Sequence, residues 1–507
     1  MKKKAPALIA LLMLAASLLS SCSFVTVNFD KIFPYEGTFA DSETESESGT
    51  EKPDTEHPAD TSGDTVSEYV YTGLDEAKEL LSSVHGYDFG AVSVFINTTA
   101  TDDIGILTSD FDDSTEIDKN DYSAAVYERN RMVEEKLNCS IRYRRTTLDE
   151  MRADIKSAIK KEEYYSDLLC VGASELAVLA KDGYLYNLRS LPFFELEQKY
   201  FNTSAENALS AGYFDYGVIS TATIDPDEIS AVFVNLDAFV EVLDVPKQIS
   251  DFDVESLAEK GEWTWDKLTE LAAASAISYS GAKGELVDVI AASGGVSYVS
   301  NEKNKTPEVV LTDGASSALE AARKFFVSAN VLSGDENGKI DAFTSKKSTF
   351  HIGTLSDMRK LSSVDFDWTV LPIPKLSSEQ TSYLSYMDAD TLAYAVPVTT
   401  TDAEGAGALI SAISAASYAY MRDVYVKYQM YHTVRVSSAL DMIELIWDTP
   451  YFDFEHTLGA VSDDIADGTY MMLREAATDD KLSLDKLFKK HKSAANKALK
   501  KYYAPKW

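Results

Sequence analysis

Cysteine is nearly absent, three residues in 507, so no disulfide scaffold can hold this chain together. Positive charge is scarce as well, 47 Lys and Arg against 82 Asp and Glu, for a formal net charge of −35. Binding to a phosphate backbone or an anionic membrane surface depends on neutralising negative charge, so the overall balance argues against both as partners and sets nucleic acid aside. There is no glycine-lysine-serine phosphate loop, no Gly-x-Ser-x-Gly elbow and no dinucleotide glycine fingerprint. The six histidines, His57, His85, His351, His432, His456 and His491, are scattered, with none at the spacing of a zinc helix. Residues 335–341 form a poor calcium loop, with Lys339 at the fifth position and no glycine at the sixth. Among 82 carboxylates any chosen acid and base pair is uninformative, so neither an enzyme nor a metal or cofactor is expected.

What is present begins with Lys2, Lys3 and Lys4, then an apolar stretch over residues 7–19, then Ser20, Ser21 and Cys22. These are the charged, apolar and small-residue regions of a secretory signal in order. The apolar core is too short for a permanent span, which needs about 20 residues. Leu19-Ser20-Ser21-Cys22 resembles the lipobox of bacterial lipoproteins, which implies a signal at 1–21 and a lipid anchor on Cys22. From Asp41 to Glu68 there are ten acidic residues against one basic, Lys52, among Ser, Thr, Gly and Pro. Such a segment cannot bury enough surface to offset its ordering entropy, so 22–70 reads as a solvated spacer. A folded body is expected from about residue 71, and with 45% hydrophobic residues the chain can fill a large core.

That body opens with a strand at 92–97, a helix at 123–137 closed by Asn138, and an alternating, edge-like strand at 139–144. A helix at 151–160 and an almost wholly apolar strand at 167–172 follow, the latter expected to be buried on both faces. Right-handed crossovers then give a parallel sheet of order 2-1-3. In it Cys139 and Cys170 lie two strands apart, about 10 Å, beyond the reach of a disulfide. Thr264 is a natural N-cap with Trp263 stapled before it, and Ser483 is a plausible cap for the last helix.

From Tyr122 onward the order of pieces resembles the extracellular solute-binding proteins of family 1, the sugar type that serves ABC importers. The resemblance is carried by Val126-Tyr127-Glu128-Arg129-Asn130-Arg131, Val232-Phe233-Val234-Asn235, Trp263-Thr264-Trp265-Asp266, Phe350-His351-Ile352-Gly353, Val370-Leu371-Pro372-Ile373-Pro374-Lys375 and Val396-Pro397. It implies an α/β, two-lobed periplasmic-binding-protein-like fold of type II, each lobe a sheet flanked by helices, with a ligand cleft between them. It further implies an N-terminal lobe at 71–235 and 367–430, a C-terminal lobe at 236–366 and 431–507, and crossings near Asn235 and Trp368.

Position then selects the residues expected at the ligand. Asn97 ends the first strand, and Ser174 with Glu175 follows the third. Asn235 and Trp368 stand at the implied crossings, with Tyr213 and Tyr216 before the first of them. By resemblance His351 and Thr354 line a cleft turn, Tyr383, Tyr386 and Asp388 precede a returning strand, and Trp447 or Tyr451 closes the far side. With 28 Tyr and five Trp the composition suits a sugar, since aromatic rings offer apolar faces with polar rims. The expected function is capture of a small solute, a sugar or oligosaccharide, for ABC importer permease subunits, at the outer face of the cytoplasmic membrane. A cell-surface polysaccharide-binding or signalling lipoprotein without an importer stays open as the alternative.

Overall fold

The structure, a computed structural model, describes residues 72–100, 107, 122–211, 214–242, 254–273, 275–300, 307–333, 336–426, 433–434 and 436–503. The chain divides into two units, Met1–Glu68 and Tyr69–Trp507, and every described residue belongs to the second. The signal, the spacer, Cys22 and Tyr213 therefore lie outside the described residues.

The first sheet contains β1 (Val92–Thr98), β2 (Cys139–Arg145), β3 (Leu168–Gly172) and, from late in the chain, a strand at Leu392–Ala395. β1 pairs in parallel with β2 on one side and with β3 on the other, the expected 2-1-3 order. The late strand runs antiparallel against the free side of β3. β3 is buried at every position, whereas β2, at the edge, buries only Ile141. The local signals act as their residue types dictate. Asn138 takes a left-handed φ of 49° to end the helix Tyr122–Leu137. Thr147 and Glu150 close a capping box at the start of the helix Leu148–Lys161. Cys139 and Cys170 are free thiols, Cys170 buried in the core and Cys139 half-buried at the edge strand, and loss of solvent pushes the Cys139 thiol up to about 12.

The second sheet contains β4 (Ser230–Asn235), β5 (Ala276–Tyr279), β6 (Asn330–Ser333), β7 (Phe350–Thr354) and β8 (Trp368–Pro372), and the Leu392–Ala395 strand of the first sheet is β9. Its spatial order is β6-β5-β7-β4-β8. β5, β6 and β7 run parallel, and β4 runs antiparallel to both β7 and β8. Thr264 caps the helix Trp265–Ala272 by accepting from Lys267 N at 3.2 Å. The indoles of Trp263 and Trp265 anchor that helix start in the core, donating to Pro372 O and Ser293 Oγ, each at 2.8 Å. Ser483 sits at the N-cap of the helix Leu484–Tyr502 without a side-chain cap bond.

One implied boundary moves. β4 and β8 both belong to the second sheet, so the chain crosses just before Ser230 and again after Pro372, not near Asn235 and Trp368. Asn235 and Trp368 pair with each other at the opposite end of those strands, and both are wholly buried. The reason is register: an apolar run of five buried residues, Trp368–Pro372, completes a sheet edge that a crossing strand would leave open.

Candidate functional site

The two sheets turn the same kind of edge toward the crossing segments. In the first, β1 ends at Thr98, β3 ends at Gly172, and β9 begins opposite Gly172 at Leu392. In the second, β7 ends at Thr354 opposite Ser230, and β8 ends at Pro372 opposite Ala231. Carboxyl ends of parallel strands are where loops and helix N-termini converge on ligands.

On the first sheet's side, the helix Ala173–Asp182 starts directly from β3. Its Glu175 carboxylate accepts the Thr99 hydroxyl and, at 3.3 Å, the Gly172 N–H. Ser174 Oγ donates to Asp390 Oδ1 at 3.0 Å, while Ala173 N and Ser174 N bond to Thr391 O and Ala389 O. The returning chain is thereby laced to the end of β3. Asn97 is 5% exposed and Thr391 4%, and neither Asn97 Oδ1 nor Thr391 Oγ1 has a hydrogen-bond partner. A buried acceptor left unpaired is costly, and hydroxyl donors of a solute would remove that cost. Glu228, on the first crossing, is exposed. Partial loss of solvent, then Asp225, Asp388, Asp390 and Asp227, pushes its carboxyl up to about 7.

On the second sheet's side, His351 is completely buried beneath the turn that follows β7. Its Nδ1 meets Ser278 Oγ at 2.9 Å and its Nε2 meets Asp357 Oδ2 at 3.0 Å. The order serine, histidine, aspartate suggests a nucleophile relay, but Ser278 is itself wholly buried and no substrate could reach it. The group fixes the turn instead: Asp357 accepts from Thr354 N and ion-pairs with Lys360. A Cβ at Gly353 would run into Asp357 Oδ2 and His351 Nε2, so only glycine fits there. Thr354, half-buried, holds Ser356 Oγ at 2.8 Å.

Between the sheets, Ser385–Tyr386 pairs in parallel with Pro450–Tyr451. Tyr386 O accepts from Ser230 Oγ at 3.2 Å, tying this pair to the first crossing. The Tyr386 ring lies 5.2 Å from that of His456, which stacks on Tyr470 at 3.8 Å. Burial pulls the His456 imidazole down, but Asp453 and Asp288, 2.6 and 3.1 Å away, push it up to about 10.

Of the expected ligand residues, Asn97, Ser174, Glu175 and Asp388 gather at the carboxyl end of the first sheet, Thr354 stands at that of the second, and Tyr386 and Tyr451 lie between. His351 is there as a support below the surface. Asn235 and Trp368 are remote, and Tyr216 is a core residue whose hydroxyl meets that of Tyr502. Tyr383 and Trp447 line a different groove, of about 710 Å³, with Tyr200, Asn202, Tyr418 and Arg422. Ser220 and Thr221 also border it, close after Val218, which bridges to the outer edge of β9, away from β1 and Asn97. Ile229, Leu384 and Pro450 border it too, so it adjoins the first crossing and the pair Ser385–Tyr386 with Pro450–Tyr451.

No family model matches the chain, and no curated protein matches it in sequence. Solved structures do match in shape. The cyclic alpha-maltosyl-1,6-maltose binding protein of Arthrobacter globiformis aligns with a TM-score of 0.50 at 12% identity, over 81% of this chain and 100% of that one. The chain has the two-lobed solute-binding fold. A family 1 extracellular solute-binding protein of Bifidobacterium longum subsp. infantis aligns with a TM-score of 0.49 at 11% identity, covering 83% and 100%. The GacH receptor of Streptomyces glaucescens aligns with a TM-score of 0.46 at 16% identity, covering 81% and 99%.

Sequence reasoning missed Thr99 at the carboxyl end of β1 and Glu228, Asp390 and Thr391 on the crossing segments. Thr99 and Asp390 were within reach, since each stands two positions from a residue singled out by strand position. Glu228 carried no signal, because its surroundings are assembled from two distant segments.

Proposed function

We propose that the chain is an extracellular solute-binding receptor that captures a sugar or oligosaccharide by lobe closure and delivers it to the permease subunits of an ABC importer. The observation that carries this is the turning of both sheets' carboxyl ends toward the same crossing segments, with unpartnered buried acceptors at Asn97 and Thr391. The likeness to a maltosyl-maltose binding protein supports a carbohydrate. Asn97, Thr99, Ser174, Glu175, Glu228, Thr354, Tyr386, Asp388 and Tyr451 are the residues we assign to the cleft. The body acts by binding and release, without catalysis. Cys22 carries the lipid that holds it at the outer face of the membrane, past an acidic spacer. No described helix is long and apolar enough to cross a membrane.

Calorimetry of the full chain against sugars, oligosaccharides, peptides and polyamines tests the ligand class. A saccharide should bind and reduce the radius of gyration in small-angle scattering, as hinge closure requires. Binding of a polymer alone, with no small solute, would overturn the reading. Loaded receptor should also recover permease subunits from solubilised membranes. Fatty-acid labelling that disappears in Cys22→Ala tests the anchor.

A further inference from the structure

The helix Leu484–Tyr502 inverts the charge of the chain that carries it. It holds seven lysines and one acidic residue, Asp485, in a protein whose acids outnumber its bases by 82 to 47. Its buried residues, Leu484, Leu487, Ala495, Leu499 and Tyr502, fall on one stripe at 100° per residue, and the lysines fan over the opposite half. All seven are exposed, and among the described residues none is ion-paired. Lys489, Lys492, Lys497 and Lys500, with Ser493 and Asn496, border a shallow groove of about 550 Å³ along this face.

A solvated helix face ordinarily mixes signs, because i, i+4 pairs stabilise it and like charges repel. Here repulsion stands unrelieved along about 28 Å of helix, although carboxylates abound elsewhere. The net charge of −35 does not cancel this field for a partner touching the helix, since screening confines it to about 8 Å at physiological ionic strength. An extended, flat anionic partner meets the geometry, because lysines spread over half a cylinder make no pocket for one small anion.

We infer that the lysine face of Leu484–Tyr502 docks onto an anionic lipid surface and so sets which side of the body rests on the membrane. The inference rests on the reading of the chain as lipid-anchored, which brings headgroups within reach and keeps nucleic acid out of it. Docking by the last helix leaves the crossing segments and the cleft to move while the receptor stays at the bilayer.

The test uses the full lipidated chain on vesicles of phosphatidylcholine, with and without phosphatidylglycerol, and reads acylation of individual lysines by an aqueous amine reagent. Lys489, Lys492, Lys497 and Lys500 should react several-fold more slowly on the phosphatidylglycerol vesicles. Molar salt should abolish the difference, and lysines elsewhere, such as Lys156 and Lys267, should show none. Replacing the four by Gln should leave saccharide binding unchanged and make Lys486 and Lys490 equally reactive on both vesicles. Equal reactivity of wild type on the two vesicle types, or protection conferred only by a soluble polyanion, overturns the inference. The acylation readout does not depend on a solute, so failure here is separate from failure of the transport reading.

Discussion

His351 and Asp357 face each other at 3.0 Å, Nε2 to Oδ2, with the histidine wholly buried and the aspartate nearly so. Together they hold the turn that carries Thr354 to the cleft. Burial alone would push the Asp357 carboxyl up, but the His351 hydrogen bond and charge, with Lys360, bring it below the ordinary carboxylate range. A depressed carboxyl stabilises the fold above its unfolded value, about 4, and that contribution is lost as pH falls through the folded value. His351→Leu strands a buried carboxylate and should cost about 3 kcal/mol in urea denaturation at neutral pH. The loss should shrink in acid; a loss constant with pH would show the pair to be inert.

Trp368 is a core residue in this structure. It is wholly buried at the entry of β8, and its Nε1 has no hydrogen-bond partner. Trp368→Ala should destabilise by about 3 to 5 kcal/mol, and saccharide affinity of the folded fraction should be unchanged. Trp368→Phe should cost about 1 kcal/mol, because it also removes the unpaired donor. Weakened affinity in a stable Phe variant would return Trp368 to the cleft.

Asn97 separates stability from binding. Its Oδ1 is buried and unpartnered while the rest of its amide hydrogen-bonds Tyr165, so Asn97→Val should cost no more than about 1 kcal/mol of stability. Saccharide affinity should fall by about 1 to 3 kcal/mol in calorimetry. Unaltered affinity would remove Asn97 from the site.

Partial loss of solvent, with Asp225, Asp388, Asp390 and Asp227 around it, pushes the Glu228 carboxyl up to about 7. A raised carboxyl binds its proton more tightly folded than unfolded, so it makes stability fall as pH rises from the unfolded value toward 7, with no further change above. Glu228→Gln should remove that slope and raise the melting temperature at alkaline pH. Parallel pH profiles for the two proteins would show the carboxyl to be unperturbed.

If the lobes rotate, the groove lined by both Tyr418, at the end of the helix Ala403–Ser417, and Trp447, at the end of the helix Ser438–Trp447, should open or narrow with them. Tyr418→Trp adds bulk there and should shift saccharide affinity by about 1 kcal/mol without altering any cleft contact. An unchanged affinity in a folded variant would show that the groove does not report lobe rotation.

The sequence alone determined the local events and their order: the strands and helices from residue 92 to 172, the Asn138 stop, the Thr264 cap with its two tryptophans, the 2-1-3 arrangement and the free thiols. Each depends on residue types within a few positions, where period, capping and burial leave little freedom. Asn97, Ser174 and Glu175 were readable for the same reason, since the carboxyl end of a parallel strand is a position in the sequence as much as in space. Only the tertiary structure decided where the chain crosses, because the apolar run Trp368–Pro372 fits a sheet edge and a crossing strand equally well until β4 is seen beside it. It alone buried His351 beneath its turn, brought Tyr383 and Trp447 together along one groove, and surrounded Glu228 with carboxylates from segments 160 residues apart in the chain, since such surroundings arise from long-range register, on which no short window of residues bears.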